Sequence, residues 1–228
     1  MEIMSIIPAR GGSKGIPRKN LKEINNKPLI AYSIEASLNS KYITKTVLST
    51  EDLEIKNEAL KYGAFVIDRP CNLALDQTKT APVILDTLDQ LEQKYSYTPD
   101  IVVLLQPTCP LRTAFDIDNA FDLFFQSKCD SVFSALPLGY THSKWRELPN
   151  GKMEAIYDFR NRPRRQDLDK HYKMFTETGS IYIIKTDVLK KVKDFIGENP
   201  KVYLETSCLD IDTLDDFHKA EEFFKSNI

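Results

Sequence analysis

The amino-acid sequence predicts an α/β fold in which a mostly parallel sheet carries helices on both faces. Short apolar runs rich in β-branched residues alternate with helical patterns through the first half of the chain. The length of 228 residues suits one domain with one sizeable core. After the fifth apolar run the alternation gives way to a polar, arginine-rich stretch. We therefore predict a single domain over residues 1–228, with an inserted arm at about 138–178.

The predicted strands are the apolar runs, each of which is followed by polar residues. Five of them precede the arm: Ile3–Ile7, Thr46–Leu48, Ala64–Ile67, Ile101–Leu105 and Ser131–Leu136. Two follow it, at Ser180–Lys185 and near Val202–Leu204. Ligands of open α/β sheets bind beyond the carboxyl ends of the strands. The polar residues after each strand are therefore the candidates for a functional site.

The helices are predicted from their start signals and their apolar periodicity. Pro28 suits the first position of a helix, and Thr80 and Thr186 each stand where a helical pattern begins. The last helix is predicted to begin at Leu214 and to be amphipathic. The residues that share its apolar face are Phe217, Ala220 and Phe224.

The composition of the chain argues against several classes of partner. The formal net charge of −2 provides no global field for a polynucleotide, so we expect no nucleic-acid partner. The apolar stretch Ile3–Ala9 is far shorter than a membrane span and has no basic leader, so we expect no membrane partner. Four cysteines without a C-x-x-C pair fit neither a zinc knuckle nor a disulfide scaffold, which favours a cytoplasmic location.

The loop after the first strand, Ala9–Asn20, has the composition of a phosphate site. It holds three glycines and four cations. Glycines let backbone N–H groups approach an anion closely, while lysine and arginine neutralise its charge. Neither the G-x-x-x-x-G-K-[ST] pattern nor the G-x-G-x-x-G pattern is present, so a P-loop NTPase or an ordinary dinucleotide site has no support. The alternative is a solvated turn whose glycines serve only backbone geometry.

Two aspartates near the carboxyl terminus, Asp210 and Asp212, are candidate ligands for Mg²⁺. Acidic and apolar residues alternate here, so in an extended conformation both carboxylates point to one face. Magnesium typically takes one or two carboxylates and fills its other positions with water and phosphate oxygens. The alternative is that both side chains merely face solvent. Asp216, three residues after Thr213, matches a helix-capping pattern instead.

Two other loops carry polar residues where a ligand is expected. Gln106 and Arg112 follow the most apolar strand, and two prolines stiffen their loop, so we expect both to be presented to a ligand. Arg69 and the stretch Asp76–Thr80 follow another strand. These residues could read a base or ribose, or they could cap the next helix, and the sequence leaves that choice open.

The predicted arm contains the most basic part of the chain. Its arginines are Arg160, Arg162, Arg164 and Arg165. The planar fork of arginine suits a substrate that carries a carboxylate. The alternative is a solvated loop whose charge is partly balanced by neighbouring aspartates. The three histidines show no metal-ligand spacing, and no Ser-His-Asp arrangement can be inferred, so hydrolase chemistry has no support.

Three motifs resemble those of the acylneuraminate cytidylyltransferase family, the CMP-sialic acid synthetases. They are Ile7–Asn20, Leu104–Arg112 and Asp210–Thr213, in the family's order and across almost the whole chain. The resemblance implies a Rossmann-like nucleotidyltransferase fold and a homodimer whose arm reaches the partner's site. It also implies a reaction in which CTP and a 2-keto nonulosonic acid, an acidic keto-sugar, give the CMP-sugar and pyrophosphate.

The resemblance assigns roles by position. The residues implied to hold the triphosphate and ribose are Arg10, Gly11, Gly12, Ser13, Lys14, Lys19 and Asn20. Arg69 and Asp76 are implied to help form the nucleotide pocket. The sugar acid is assigned to Gln106, Arg165 and Gln166, and the Mg²⁺ ion to Asp210 and Asp212. Lys19 and the two aspartates are the residues implied to be catalytic.

Two alternatives to this function stay open in the sequence. The sister family that activates 3-deoxy-manno-octulosonate shares the reaction, but its first loop has an Arg-Leu-Pro-x-Lys core where this chain has Lys-Gly-Ile-Pro-Arg-Lys-Asn. A catalytically idle nucleotide-binding module is the alternative outside the enzymes, and the intact pair of Asp210 and Asp212 argues against it. The stretch Glu177–Tyr182 departs from the N-G-A-I-Y-I pattern of relatives. The sequence therefore does not decide between a sialic, a legionaminic and a pseudaminic acid.

Overall fold

A computed structural model describes residues 1–138, 145–158, 160–161, 164 and 174–226. Within them lies a seven-stranded sheet with the strand order β11-β7-β10-β6-β1-β4-β5. Its strands are β1 (Ile3–Pro8), β4 (Lys45–Thr50), β5 (Phe65–Asp68), β6 (Ile101–Leu105), β7 (Ser131–Leu138), β10 (Met174–Lys185) and β11 (Pro200–Leu204). Two small antiparallel pairs stand apart from it: β2 (Glu23–Ile24) with β3 (Lys27–Pro28), and β8 (Trp145–Glu147) with β9 (Met153–Ala155).

The half of the sheet that comes from the first part of the chain is parallel, as the alternation of strands and helices predicts. Strand β1 pairs in parallel with β4 and with β6, and β4 pairs in parallel with β5. Strand β10 is the exception, because it runs antiparallel to both of its neighbours, β6 and β7. The mostly parallel α/β fold is therefore confirmed.

Strand β10 begins earlier than the sequence indicates. Met174 already pairs with Leu138 at the end of β7, whereas the predicted strand begins at Ser180. The last five residues of the predicted arm therefore belong to the central sheet. The register of β10 against β7 shifts between Glu177 and Tyr182, and Gly179 has a φ of 72° there. A polar stretch interrupted by a bulge lacks the continuous apolar run from which strands are predicted.

Six helices flank the sheet within the described residues. They are α1 (Leu29–Leu38), α2 (Leu53–Lys61), α3 (Thr80–Tyr95), α4 (Ala114–Gln126), α5 (Thr186–Val192) and α6 (Leu214–Ser226). The predicted starts at Thr80, Thr186 and Leu214 are confirmed. Pro28 lies one position before α1 rather than in its first turn. No helix among the described residues is long and apolar enough to cross a membrane.

Alternate residues of the central strands pack on opposite faces of the sheet. On one face, Ile3 and Ile7 of β1 join Ile34 of α1 and Phe121 of α4 in one buried cluster. On the other face, the buried cluster contains Met4 and Ile6 of β1 with residues of α3 and α5, among them Ile84, Leu88 and Leu189. The sheet is therefore covered on both sides, and its carboxyl-end loops are left to form a site.

A third apolar cluster joins the two ends of the chain. Ile16, from the loop after β1, packs with Ile211, from the segment before α6. Phe217 of α6 completes this cluster and is almost fully buried. Burial of these side chains places the glycine-rich loop beside the predicted metal-binding aspartates.

Candidate active site

A cavity of about 350 Å³ opens at the carboxyl ends of β1 and β6. Nine of the side chains assigned to the site by sequence line it: Arg10, Ser13, Lys14, Lys19, Asn20, Arg69, Asp76, Gln106 and Asp212. Three assigned residues that the structure describes, Gly11, Gly12 and Asp210, do not line it. Arg165 and Gln166 lie outside the described residues.

The glycine-rich loop is held in place by close packing and by one buried amide. A side chain at Gly15 would place its Cβ 2.6 Å from the backbone oxygen of Asp212, so only glycine allows this approach. Asn20 is buried, and its Nδ2 donates to the Arg10 carbonyl at 2.9 Å. The loop is thereby folded back on itself, with Arg10, Lys14 and Lys19 lining the cavity.

Lys19 is the direct link between the loop and the carboxyl-terminal segment. Its Nζ donates to the Ile211 carbonyl at 2.5 Å and to Asp212 Oδ1 at 3.2 Å. The Lys19 side chain is 13% exposed, whereas that of Asp212 is 74% exposed. A mostly buried ammonium group is thus held at the edge of the cavity beside an accessible carboxylate.

Asp76 holds two other cations on the opposite wall. Arg10 Nη1 lies 2.8 Å from Asp76 Oδ1, and Lys14 Nζ lies 2.5 Å from Asp76 Oδ2. The hydrogen bond from Lys14, together with the charges of Lys14 and Arg10, holds the pKa of Asp76 below its ordinary value. Asp76 offsets the repulsion between the two cations and keeps them close together.

Arg69 forms part of the cavity wall. Its Nη2 donates to the Ser49 carbonyl at 2.7 Å, and its side chain is buried beside β4. Burial lowers the pKa of Arg69, and the neighbouring charge of Glu51 opposes that effect. Arginine stays protonated even so, which places a fixed positive charge behind the cavity.

Gln106 stands between this cavity and a second one of about 480 Å³. Gly179 brings the backbone of β10 beside the Gln106 amide, since a Cβ there would lie at an ordinary contact distance of 3.4 Å from Nε2. The second cavity is lined by both apolar and charged residues, and the apolar ones form a wall. The wall includes Leu85, Phe195 and Ile196, and the charged residues are Lys79, Glu177, Lys193 and Asp194.

The expectation that Arg112 is presented to a ligand is wrong. Its side chain is only 5% exposed, Nη1 donates to the Ser180 carbonyl at 2.7 Å, and Nη2 contacts the Ser33 hydroxyl. The guanidinium therefore ties α1 and β10 to the loop after β6. The carbonyl groups of Gln106 and Ser180 orient Arg112 into the protein rather than towards a ligand.

The carboxylates near the third apolar cluster have separate roles. Partial burial and the neighbouring charge of Asp212 raise the pKa of Asp210, while Lys19 opposes the shift. Asp216 instead accepts from the Thr213 backbone at 3.0 Å and caps α6, as predicted.

No group of three or more His, Cys, Asp or Glu side chains within the described part of the chain could hold a metal ion. Two crowded carboxylates do fit the hard, doubly charged Mg²⁺, which would relieve their repulsion.

Two acidic residues behind the loop escaped the sequence analysis. Glu51 Oε1 accepts a hydrogen bond of 2.7 Å from the Gly11 amide, and Asp52 forms an ion pair with Arg18. Arg18 is therefore the one cation of the loop that turns away from the cavity towards α2. Both acids follow directly after β4. The rule that singles out polar residues after strands would have found them.

A larger cavity of about 920 Å³ lies at the other end of the central strands, beside the amino end of β6. It opens beside Asp100, Lys185 and Lys190 and contains none of the residues that the motifs bring together. Because ligands of open α/β sheets bind at the carboxyl ends of the strands, the smaller cavity is the candidate active site.

The sequence profile of a family described as Cytidylyltransferase matches residues 4–225. The chain belongs to this family. A cytidylyltransferase uses a nucleotide that carries a triphosphate. Membership of this family therefore accounts for the cations that the glycine-rich loop places around the cavity.

Three known proteins illustrate what this cytidylyltransferase is similar to. The pseudaminic acid cytidylyltransferase of Campylobacter jejuni serotype O:2 is 36% identical, covering 100% of this chain and 98% of that protein. The CMP-N,N'-diacetyllegionaminic acid synthase of the same organism is 35% identical over 99% of this chain and 95% of its own. A solved CMP:2-keto-3-deoxy-manno-octonic acid synthetase complexed with CTP has a TM-score of 0.75 at 16% identity, with full coverage of both chains. That likeness supports the fold.

Proposed function

We propose that the protein transfers CMP from CTP to the anomeric hydroxyl of a nonulosonic acid and releases pyrophosphate. One observation carries the proposal: Arg10, Lys14 and Lys19 converge on one cavity that Asp212 also lines. A triphosphate needs cations, and a metal ion bound to it needs hard oxygen ligands. The names of the relatives with 35% and 36% identity supply the class of the sugar.

The proposed reaction is an in-line attack of the sugar hydroxyl on the α-phosphorus of CTP. As the new O–P bond forms, the sugar hydroxyl gives up its proton to a carboxylate of the site or to water. The bond between the α-phosphorus and the oxygen that bridges to the β-phosphate breaks, and pyrophosphate leaves. Lys14 and Lys19 stabilise the negative charge that develops on the phosphate oxygens, and the loop holds the nucleotide in position. Arg10 is held by Asp76 until a phosphate competes for it.

Asp210 and Asp212 are the residues that would hold Mg²⁺. When bound, the ion would neutralise phosphate charge. The donor set supports this assignment, because both are carboxylates, and Asp210, which is partly buried and repelled by the charge of Asp212, would gain from an added positive charge. Asp212 is already held by Lys19, which would keep the lysine ammonium beside the phosphates.

The sugar acid is proposed to occupy the second cavity, on the far side of Gln106. Its apolar wall, formed in part by Leu85 and Phe195, suits the methyl and acyl groups of a substituted nonulosonic acid. Arg165 and Gln166 are proposed to bind the carboxylate from the arm. Lys193, one of the two lysines that line this cavity, is the alternative cation. We further propose a homodimer, in which the arm of one protomer reaches the partner's site, and a cytoplasmic location.

A pyrophosphate-release assay tests this function. Four nucleoside triphosphates are each combined with pseudaminic, legionaminic and sialic acid and with 3-deoxy-manno-octulosonate, in the presence of Mg²⁺. We expect turnover with CTP and at least one of the three nonulosonic acids. Turnover with the octulosonate alone would assign the chain to the alternative reaction. CTP binding without turnover on any sugar would support the idle nucleotide-binding module.

A further inference from the structure

The phosphate loop is fixed at both ends to the turn that follows β4. At its start, the Gly11 amide donates to Glu51 Oε1 at 2.7 Å. At its end, Arg18 Nη2 donates to Asp52 Oδ1 at 3.1 Å and to Glu54 Oε2 at 2.7 Å. The residues between these two anchors include Ser13, Lys14 and Gly15, which line the cavity.

The loop packs so closely on this turn that there is no room for a side chain at Gly11. A Cβ at Gly11 would overlap the carboxylate of Asp52, so the backbone rests directly against the acid. Asp52 itself is held from two sides, because it also accepts from the Ile55 amide at 3.0 Å and so caps α2. Asp52 is thus held at the junction between the end of β4 and the start of α2.

Attraction to the phosphates of a nucleotide does not explain the acids in this position. A carboxylate behind a phosphate site subtracts from its positive potential and weakens anion binding. The second oxygen of Glu51, Oε2, is buried and has no hydrogen-bond partner among the described residues, which is an unfavourable state for a carboxylate. The favourable contributions of Glu51 are its charge beside the buried Arg69 and its hydrogen bond to the Gly11 amide, and only the second holds the loop.

We infer that Glu51 and Asp52 are positioning residues for the nucleotide, an inference that rests on the proposed function. They act through Gly11 and Arg18 and hold the loop in its binding conformation before CTP arrives. A loop that is already ordered loses less conformational entropy when it binds its ligand. If either anchor is removed, the loop becomes ordered only when CTP binds, and this cost lowers the affinity for CTP.

Two substitutions at one position separate positioning from charge. Glu51→Ala removes the acceptor, and we expect the Kd for CTP to rise at least fivefold while the KM for the sugar acid at saturating CTP stays within twofold. Glu51→Gln keeps an acceptor oxygen at the same reach, and we expect its Kd to stay within twofold of wild type. Asp68→Ala is the matched control, because it breaks only the Lys56–Asp68 pair beside α2 and should leave the Kd unchanged.

The outcomes distinguish this inference from its alternatives. A Kd for Glu51→Ala within twofold of the control, or a Kd for Glu51→Gln as weak as that of Glu51→Ala, would overturn the positioning role. If Glu51→Ala does not fold, variants of the second anchor, Arg18 with Asp52, test the inference instead. There, Arg18→Ala, Asp52→Ala and the double variant should weaken CTP binding to the same extent, and additive losses would contradict a shared anchor.

Failure of the proposed function would look different. If wild-type protein does not bind CTP, the proposed function is wrong. Deuterium exchange of the Gly11 amide then still tests the anchor. We expect slow exchange in wild type and in Glu51→Gln and fast exchange in Glu51→Ala. Equal exchange in all three proteins would overturn the anchor itself.

Discussion

At the residue scale, Lys19 connects the two ends of the chain at the edge of the candidate active site. We expect Lys19→Ala to lower kcat/KM for CTP by roughly ten- to a hundredfold, because the loss of a charge-assisted contact costs about 1.5–3 kcal/mol. Calorimetry with CTP and steady-state kinetics measure the effect. Lys22→Ala is the control, since Lys22 lies over the Phe217 ring rather than in the cavity. Equal kinetics for the two variants would refute the role of Lys19.

Substitutions of Asp210 and Asp212 are expected to have the same effect on activity but different effects on the Tm. Asp210→Asn and Asp212→Asn should each abolish Mg²⁺-dependent turnover. Asp210→Asn should also raise the Tm without Mg²⁺, because it removes a partly buried carboxylate whose charged form the fold disfavours. Thermal unfolding and pyrophosphate release provide the two readouts. Activity within a few-fold of wild type in both variants would show that neither residue binds a required metal ion.

Arg165 tests whether the arm binds the sugar carboxylate. Arg165→Lys keeps the charge but loses the planar two-donor fork, so the KM for the sugar acid should rise roughly ten- to a hundredfold. The Kd for CTP, measured without sugar, should stay nearly unchanged. Lys193→Ala is the comparison, because Lys193 is one of the two lysines that line the second cavity. If only the Lys193 variant raises the sugar KM, the carboxylate is bound there instead.

At the element scale, the start of α2 links stability to pH. The hydrogen bond from Arg18 lowers the pKa of Asp52, so this pair stabilises the fold fully above the ordinary carboxyl pKa of about 3.9 and loses its effect as the pH falls from there through the lowered pKa of Asp52 in the folded protein. Asp52→Asn keeps the helix cap but removes the charge. We expect it to cost at most about 1 kcal/mol at pH 7, because Arg18 is partly exposed, and less at pH 3. Urea unfolding at both pH values checks this, and a difference that grows at pH 3 would contradict it.

The elements also show which parts of the fold the sequence can predict. The parallel strands and the starts of α3, α5 and α6 follow from apolar runs and capping residues, which are local signals. Strand β10 begins in a polar stretch and contains a bulge at Gly179, so its pairing with β7 depends on contacts that no local pattern records. Arg112 was misplaced for a similar reason, because the direction of a side chain in a stiff loop is set by the carbonyl groups around it.

At the scale of the whole molecule, the site is assembled from segments far apart in sequence. The motifs supplied most of the residues that line the cavity, because a nucleotide needs cations, glycines and carboxylates that composition reveals. Motifs could not supply Glu51 and Asp52, which act on the loop rather than line the cavity. The contact between the two chain ends depends on the cluster of Ile16, Ile211 and Phe217, whose members are unremarkable apolar residues in the sequence.

The central claim is that the oxygen of a nonulosonic acid attacks the α-phosphorus of CTP. It is tested most directly with a sugar acid that carries ¹⁸O at its anomeric hydroxyl, incubated with CTP, Mg²⁺ and the protein. Mass spectrometry of the products should find a CMP-sugar that retains the label in its bridging oxygen, together with unlabelled pyrophosphate. Labelled phosphate products without a CMP-sugar, or CMP and pyrophosphate formed without incorporation of the sugar, would contradict the account.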